Sequence, residues 1–275
     1  MDKHEIYEHW TNWAQEHGEA VEATTRARSA KSIEISALET AFEKLAMINT
    51  RPLKILEVGC GNGINIISIA QKYDHGTFTG IDFVPEMIQN AKSLASSSLV
   101  SDRCTFIVGD AMELHKVEDL ADDFDAVFTV RCLINLQTDE NQQTALCSIT
   151  ERVSPEGFVF LVENSQQSFA RQNDLRGELG LASRSAASFN HFIDEVSFLE
   201  SARVSGLHHI QTLDISSLHD TVLYALLPSV SEGRVDYEHS LVLAAAQLEI
   251  ANHQSLSSPF GGFGQNRLFI FQKIA

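Results

Sequence analysis

The sequence predicts an α/β fold in which a seven-stranded sheet carries helices on both faces. From residue 54 onward, short apolar runs alternate with segments whose apolar residues recur at helical spacing. This alternation is typical of a parallel sheet with crossover helices. A glycine-rich turn at 59–63 stands at the first strand-to-helix junction. With 275 residues, of which 44% are hydrophobic, the chain can form one large domain with a sizeable core.

Seven short apolar runs are the predicted strands. Five of them follow one another through the middle of the chain, and two later runs complete the sheet. They are residues 54–58, 77–81, 104–108, 125–129, 158–162, 209–213 and 268–272.

Helical patterns separate these runs. Pro85 suits the first turn of one helix, where a missing N–H costs nothing. Thr138 is the predicted N-cap of another, with Asp139 and Glu140 in its first turn. The predicted helices lie near residues 64–71, 85–95, 142–153, 217–227 and 238–250.

The chain divides into an N-terminal helical segment, residues 1–50, and a main domain, residues 51–275. Two long inserts follow the fifth and sixth strands, at about 164–207 and 216–266. The sheet does not need either insert. We therefore expect the inserts to cover the active site or to contact a second subunit of a homodimer.

The composition is strongly acidic: 20 basic and 37 acidic residues give a net charge of −17. Binding to nucleic acids or to anionic membranes needs basic surface, so we expect neither. The four cysteines form no Cys-x-x-Cys pair, which argues against a disulfide framework or a metal site. The N-terminus lacks the apolar run of a signal peptide, and no segment approaches the roughly 18 apolar residues of a membrane span. We expect a soluble, cytoplasmic protein.

The strongest chemical signal is the segment Leu-Glu-Val-Gly-Cys-Gly-Asn-Gly that ends at Gly63. Gly59, Gly61 and Gly63 let the backbone turn tightly and let a ligand approach where a Cβ would clash. A dinucleotide fingerprint needs another glycine where this chain has Ile64, so a nicotinamide-dependent oxidoreductase is a remote alternative. The acidic residue before the turn, Glu57, suits a ligand with an ammonium and a sulfonium group rather than a pyrophosphate.

With this motif the chain resembles the class I (Rossmann-like) methyltransferases. Asp82 ends the second strand, where a carboxylate can accept both hydroxyls of a ribose. Asp110 ends the third strand, and in the resembled family that acid accepts from the adenine amino group. After the fourth strand, the backbone at Val130 and Arg131 would face the methionine part of the cofactor.

This resemblance covers about residues 50–163 and implies S-adenosylmethionine as the cofactor. Further likeness at 131–136, 151–157 and 163–165 resembles bacterial methyltransferases of small polar acceptors, including sugars. The cofactor-binding residues that it implies are Glu57, Gly59, Gly61, Asn62, Gly63, Asp82, Phe83, Met87, Asp110, Ala111, Met112, Val130 and Arg131.

The acceptor should meet the cofactor's methyl group over the fourth and fifth strands. Asn135 and Asn164 would suit recognition of a hydroxyl, or would cap loops. Glu163 would accept the acceptor's proton or bind its hydroxyl or amine; the alternative is a strand-end residue in solvent. Arg131 would hold a carboxylate of the cofactor or of the acceptor, unless it is a surface arginine.

His191 lies between aromatic residues in the first insert and is either a general base or a packing residue. Trp10 and Trp13 either belong to the core or lie in a segment that folds over the cofactor and excludes water. The predicted function is methyl transfer from S-adenosylmethionine to an oxygen or nitrogen of a small polar, sugar-like acceptor. The alternatives are an RNA or protein methyltransferase on the same fold and a non-catalytic cofactor-binding protein.

Overall fold

A computed structural model describes residues 3–25, 27–48, 51–73, 75–253 and 260–274. Within this part of the chain, one mixed sheet of seven strands forms the centre of the fold. The strands are β1 (Leu53–Val58), β2 (Gly76–Asp82), β3 (Cys104–Val108), β4 (Phe124–Val130), β5 (Val153–Asn164), β6 (Leu207–Asp214) and β7 (Asn266–Lys273).

The strand order is β3-β2-β1-β4-β5-β7-β6. Strands β1 to β5 pair in parallel, as the sequence predicts. Strand β7 differs, because it lies antiparallel between β5 and β6. An antiparallel neighbour needs no crossover helix, so β7 can enter the sheet directly from the second insert. The strand order reverses between β1 and β4, and ligands of such sheets bind in the crevice at this point.

Helices cover both faces of the sheet. Thr138 caps α5 as predicted, since its side chain accepts from the backbone N–H of Asn141, although α5 begins at Asp139 rather than at 142. The predicted helix at 217–227 is divided by a π-helical turn, Val222–Leu226. The helices are α1 (Lys3–His17), α2 (Arg28–Ile48), α3 (Ile64–Lys72), α4 (Pro85–Ser96), α5 (Asp139–Arg152), α6 (Gln166–Glu178), α7 (Glu195–Val204), α8 (Ser217–Thr221), α9 (Leu227–Val230) and α10 (Ser240–Asn252).

The core lies on both sides of the sheet. On one side, α2, α3 and α4 pack against it, and the Phe42 ring lies 5.6 Å from that of Phe128 and 5.0 Å from that of Phe160. On the other side, α5 and α7 pack, with the rings of Phe198 and Phe269 5.6 Å apart. None of the described helices has both the length and the apolar character to cross a membrane.

Helix α2 is also fixed to the second insert by a buried polar chain. Ser29 Oγ lies 2.9 Å from His219 Nε2, and His219 Nδ1 lies 2.8 Å from Asp220 Oδ1. All three side chains are buried, so these contacts satisfy groups that would otherwise lose their hydrogen bonds on folding. They hold α2 against α8, beside the cavity described next.

Candidate functional site

A cavity of about 490 Å³ lies at the carboxyl ends of β1, β2 and β4. This is the crevice expected at the reversal of strand order. The volume is within the range of sites for small ligands. Three parts of the chain line it: the N-terminal segment, the sheet's own loops, and both long inserts.

The glycine turn forms one wall of the cavity. Gly59 and Gly61 line it, with φ angles of 73° and 53° that favour glycine. A Cβ on Gly59 would overlap the Cys132 side chain, and one on Gly61 would lie 2.9 Å from a methyl group of Thr24. The turn therefore brings bare backbone to the cavity, as the sequence predicts.

Asp82 lies beside this turn and lines the cavity. Its Oδ2 accepts from the Gly61 N–H at 2.8 Å, and its Oδ1 accepts from the Val84 N–H at 3.0 Å. Burial raises the pKa of Asp82 to about 6, against the lowering effect of these hydrogen bonds. The Phe83 N–H also bonds to this carboxylate. A carboxylate has about four acceptor sites, so at least one remains for a ribose hydroxyl. The residue fits the predicted ribose contact.

Asp110 lies at the other end of this wall. Its Oδ1 accepts from the Met112 N–H at 2.9 Å, and its Oδ2 pairs with Lys3 Nζ of α1 at 2.5 Å. Four other predicted cofactor-binding residues also line the cavity; they are Phe83, Met87, Ala111 and Met112. That Asp110, Ala111 and Met112 contact an adenine stays a prediction.

Glu57 does not lie where the sequence predicts, because it is fully buried and is not among the described residues that line the cavity. It accepts from Asn65 Nδ2 at 2.7 Å and from the Ile66 N–H at 3.1 Å, which fixes the start of α3. Burial raises the pKa of Glu57 to about 8. Asn65 itself lines the cavity and accepts from Lys31 Nζ at 3.0 Å, so Glu57 acts on the wall through Asn65.

Asn62 and Gly63 also lie outside the described lining. Asn62 Nδ2 donates to the carbonyls of Gly18 and Ala20, at 3.2 and 2.9 Å, and so holds the N-terminal segment against the glycine turn. A Cβ on Gly63 would lie 2.9 Å from the ring of Phe106, so this glycine permits close packing of α3. Both predicted cofactor contacts are replaced by structural contacts.

Arg131 lines the cavity beside Val130, but a carboxylate of the protein already faces it. Its Nε lies 2.9 Å from Glu34 Oε1, and its Nη2 donates to the Thr24 carbonyl at 2.9 Å. Lys31 Nζ lies 3.0 Å from the other oxygen of Glu34. Burial would raise the pKa of Glu34, but the charges of Arg131 and Lys31 outweigh it and lower that pKa below its ordinary value.

Lys31 and Glu34 also belong to the site, although neither is among the site residues predicted from the sequence. Both line the cavity and both are buried. The available signal was their spacing: two opposite charges lie three residues apart within an otherwise apolar helix stripe that includes Ile33, Ala37 and Leu38.

Asn135 lies on the cavity wall as predicted. Its Nδ2 donates to the Arg131 carbonyl at 2.7 Å. Its buried Oδ1 has no hydrogen-bond partner among the residues that the structure describes, and the same is true of Nε2 of Gln137, which also lines the cavity. A buried polar atom without a partner is unfavourable, so the two amides can both bind a ligand group.

Glu163 is not on the described cavity wall, and its side chain is fully buried. Its Oε1 accepts from Thr129 Oγ1 at 2.6 Å and from the N–H groups of Cys132 and Leu133 at 3.1 Å each, and its Oε2 accepts from the Ile134 N–H at 3.3 Å. Burial raises the pKa of Glu163 to about 7. Neither predicted alternative, an acceptor contact or a solvated strand end, matches this position.

His191 lies outside the described lining as well. Its Nε2 is 2.7 Å from Asp139 Oδ1 on the surface, with 39% of its side chain exposed. Its backbone N–H donates to the Ile134 carbonyl, which favours the packing alternative over a general base. Asn164 does line the cavity, and its Nδ2 donates to Asn266 Oδ1 at 2.6 Å.

Aromatic side chains close the cavity from the N-terminal segment and the first insert. Trp10, Trp13, His9 and Phe189 all line it. The rings of His9 and Phe189 stack at 4.5 Å, and those of Trp10 and Phe189 meet edge to face at 5.8 Å. The two tryptophans therefore lie over the cavity. Helix α1, which carries them, also packs on α4.

The second insert contributes Asp220, Tyr224 and Tyr237 to the lining, none of which the sequence-based search singled out. Tyr224 lies in the π-helical turn, and the guanidinium of Arg184 lies 3.4 Å from its ring centroid. Turns of this kind occur often at functional sites. No local sequence pattern marks these residues, since they meet the cavity through the tertiary fold.

A comparison with protein families decides the class of the central segment. Residues 55–157 match the model of a family described as a methyltransferase domain. This segment is similar to a methyltransferase domain. It contains the glycine turn, Asp82, Asp110 and Arg131, that is, one whole side of the cavity.

Two curated relatives of the methyltransferase domain match only in part. The ajmaline N-methyltransferase of Rauvolfia serpentina is 33% identical over 90 residues, which is 33% of this chain and 30% of that protein. The O-methyltransferase rstn1 of Aspergillus nomiae is 29% identical over 124 residues, which is 43% of this chain and 52% of that protein. The chain thus spans no more than about half the length of either relative.

A solved structure extends the comparison to the fold. Magnesium protoporphyrin IX methyltransferase (ChlM) from Synechocystis with bound SAH has a TM-score of 0.58 at 14% identity, covering 99% of this chain and 100% of that one. The predicted class I methyltransferase fold is confirmed. The predicted enzyme class, a methyltransferase, is confirmed for the matched segment.

Proposed function

We propose that the chain transfers a methyl group from S-adenosylmethionine to an oxygen or nitrogen of a small polar acceptor, sugar-like by preference. The observation that carries this proposal is the single cavity in which two sets of residues meet. The glycine turn, Asp82 and Asp110 suit the cofactor, and a second set of amides and aromatic rings faces the same space.

The residues present fit S-adenosylmethionine. Asp82 keeps at least one acceptor site for the ribose, and the bare backbone at Gly59 and Gly61 admits the methionine part. Phe83 and Met112 would enclose the adenine, with Asp110 at its edge. The cofactor supplies an electrophilic methyl group on a good leaving group, and the protein then has to align the acceptor, exclude water and accept a proton where the acceptor carries one.

The acceptor's polarity is inferred from the other side of the cavity. Asn135 Oδ1 can accept a hydrogen bond and Gln137 Nε2 can donate one, so a neutral group that does both, such as a hydroxyl, satisfies both atoms. Trp10 and Phe189 offer apolar ring faces nearby. Together these features support a compact polar molecule with an apolar face, as a sugar ring has.

Charge supports a neutral acceptor. Among the described lining residues, every lysine, arginine, aspartate and glutamate already has an ionic or hydrogen-bonding partner within the protein. A charged acceptor would have to displace one of these partners. The residues concerned are Lys3, Lys31, Glu34, Asp82, Asp110, Arg131 and Asp220.

The proposal includes the roles of the flanking segments. Residues 1–50 act as a cap over the cofactor, and the inserts at 164–207 and 216–266 complete the acceptor side. The cavity volume of about 490 Å³ and the net charge of −17 favour a small molecule over a nucleic acid. A homodimer and a cytoplasmic location stay predictions from the sequence.

The test has two stages. Calorimetry with S-adenosylmethionine and S-adenosylhomocysteine measures cofactor binding, and mass spectrometry then follows methyl transfer to a panel of neutral, acidic and amino sugars and related polyols. Gly61→Arg should abolish both, because the side chain fills the turn. Gly177→Arg is the matched control, since Gly177 lies on the surface of α6 with nothing within 4 Å of an added Cβ. Absence of cofactor binding by the wild type would refute the proposal.

A further inference from the structure

We infer that Glu163 is a positioning residue whose carboxylate holds the loop after β4 in the shape that the cavity needs. This inference rests on the proposed function, because the loop forms the wall between the cofactor and acceptor sides. The loop, residues 131–135, carries Arg131 and Asn135, and both line the cavity. Glu163 lies behind the loop rather than in front of it.

Four donors converge on this one carboxylate. Three are the consecutive backbone N–H groups of Cys132, Leu133 and Ile134, at 3.1 to 3.3 Å, and the fourth is the Thr129 hydroxyl at 2.6 Å. Consecutive N–H groups form a concave site for an anion. Here a side chain of the neighbouring strand occupies that site, and this charged interaction fixes the 3-10 turn Leu133–Asn135.

The loop needs such an anchor because its first residue is strained. Arg131 has a φ of +54°, which an L-residue adopts only when its surroundings enforce it. Its N–H donates to the Val162 carbonyl at 2.7 Å, and its own carbonyl accepts from Asn135 at 2.7 Å. Two successive residues at the end of β5, Val162 and Glu163, therefore bind the whole loop.

The surroundings of Glu163 exclude direct contact with an acceptor. The side chain is fully buried, and all the described contacts that it makes are to β4 and the loop. Its cross-strand partner on β7 is Arg267, whose guanidinium lies 3.2 Å from Asp214 and so is engaged elsewhere. The Cys132 thiol is the other titratable group beside it, and burial raises the pKa of that thiol well above its ordinary value.

Glu163→Gln tests the role, because it keeps the volume but turns one acceptor oxygen into a donor facing the Ile134 N–H. Glu249→Gln is the matched control: Glu249 is also buried and accepts a backbone N–H, that of Leu218, but is not among the described lining residues. Both variants should lower the midpoint of thermal unfolding. At a temperature where both are folded, Glu163→Gln should weaken S-adenosylhomocysteine binding by about tenfold or more, because hydrogen bonds to a charged group are lost, whereas Glu249→Gln should leave it unchanged.

NMR signals of the backbone amides show whether a loss of affinity comes from the loop after β4. In Glu163→Gln the N–H signals of Cys132, Leu133 and Ile134 should shift, because each loses a charged acceptor. Unchanged affinity in folded Glu163→Gln, or an equal loss in Glu249→Gln, would overturn the positioning role. If Glu163→Gln does not fold, Thr129→Val replaces it, with an expected loss of about threefold, and unchanged affinity would again overturn the role. Wild-type protein that does not bind the probe would refute the proposed function instead.

Discussion

Lys31 and Glu34 form a buried ion pair one turn apart on α2, with 3.0 Å between Lys31 Nζ and Glu34 Oε2, on the wall of the cavity. Arg131 approaches the same carboxylate from the loop after β4. The pair thus connects the N-terminal segment to the methyltransferase domain. It also places two positive charges around one negative charge, where losing the carboxylate would be costly.

Glu34→Gln should therefore destabilise the protein strongly. The change leaves the buried Lys31 and the half-buried Arg131 without a carboxylate, and breaking a buried pair in this way costs about 3–5 kcal/mol of unfolding free energy. Urea unfolding measures it. Glu113→Gln is the control, because Glu113 and Lys116 have the same spacing but are 45% and 61% exposed; its effect should stay within about 0.5 kcal/mol. Similar losses in the two variants would contradict this account of the pair.

Cofactor affinity should depend on pH through Asp82. Burial raises the pKa of Asp82 to about 6, so the carboxylate loses its charge below that pH and becomes a poorer acceptor for ribose hydroxyls. Binding of S-adenosylhomocysteine should tighten as the pH rises through about 6, as calorimetry can measure. Asp82→Asn should bind more weakly and lose this part of the dependence. The pKa of Glu163 is raised to about 7. Any change in affinity that occurs near neutral pH should therefore remain in Asp82→Asn.

The raised pKa of Asp82 also makes the free energy of unfolding depend on pH. Since the pKa of Asp82 is raised in the folded state, the folded protein binds more protons than the unfolded chain between the ordinary carboxyl pKa and about 6. The contribution of Asp82 to stability should fall as the pH rises through that window and then level off. Urea unfolding of wild type and Asp82→Asn, compared across this pH range, isolates the contribution of Asp82. A contribution that rises with pH there would contradict the assigned cause, which is burial.

Asn62→Ala should loosen the cap over the cofactor. Asn62 donates to the carbonyls of Gly18 and Ala20, which join α1 to the rest of the N-terminal segment. Losing these bonds should speed release of S-adenosylhomocysteine by about five- to tenfold, consistent with roughly 1 kcal/mol. Stopped-flow fluorescence of Trp10 and Trp13 can follow the release. Ser68→Ala on α3, the helix that follows the glycine turn, is the control, because that hydroxyl bonds within α3; equal rates in both variants would contradict the cap.

Gln137→Met should lower turnover without lowering the free energy of unfolding. Gln137 Nε2 is buried without a partner among the described residues, so removing it should leave the unfolding free energy unchanged or raise it by up to about 1 kcal/mol. Turnover of the best acceptor from the panel should fall at least tenfold while S-adenosylhomocysteine affinity is kept. Gln247→Met on the exposed side of α10 is the control. Unaltered turnover in Gln137→Met would remove this amide from the acceptor site.

Most of the fold could be predicted from the sequence, because the local periodicity of apolar residues indicates strands and helices. All seven predicted strands are present. The bounds of β3 are as predicted, β5 begins at Val153 rather than at 158, and the other strands extend by no more than two residues at either end. The antiparallel direction of β7 was not predictable, since apolar alternation is the same in either direction. The π-helical turn before α9 likewise has no pattern of its own that separates it from an α-helix.

Site residues that a backbone motif fixes were predictable from the sequence. Residues whose place depends on the direction of the side chain were less predictable. Gly61, Asp82 and Asp110 follow from strand ends and reach the cavity. Glu57 and Glu163 also end strands, but they point behind the loops, and the sequence does not give the direction of a side chain at a strand end. Glu34 and Tyr224 come from distant segments that only the tertiary fold brings together.

A crystal structure with S-adenosylhomocysteine bound tests the central claim most directly. We expect ribose hydroxyls on Asp82, adenine beside Asp110 and Met112, and the homocysteine end against Gly59 and Arg131, with free space left towards Asn135. Density for the ligand outside this cavity, or an empty cavity in crystals soaked at saturating concentration, would contradict it.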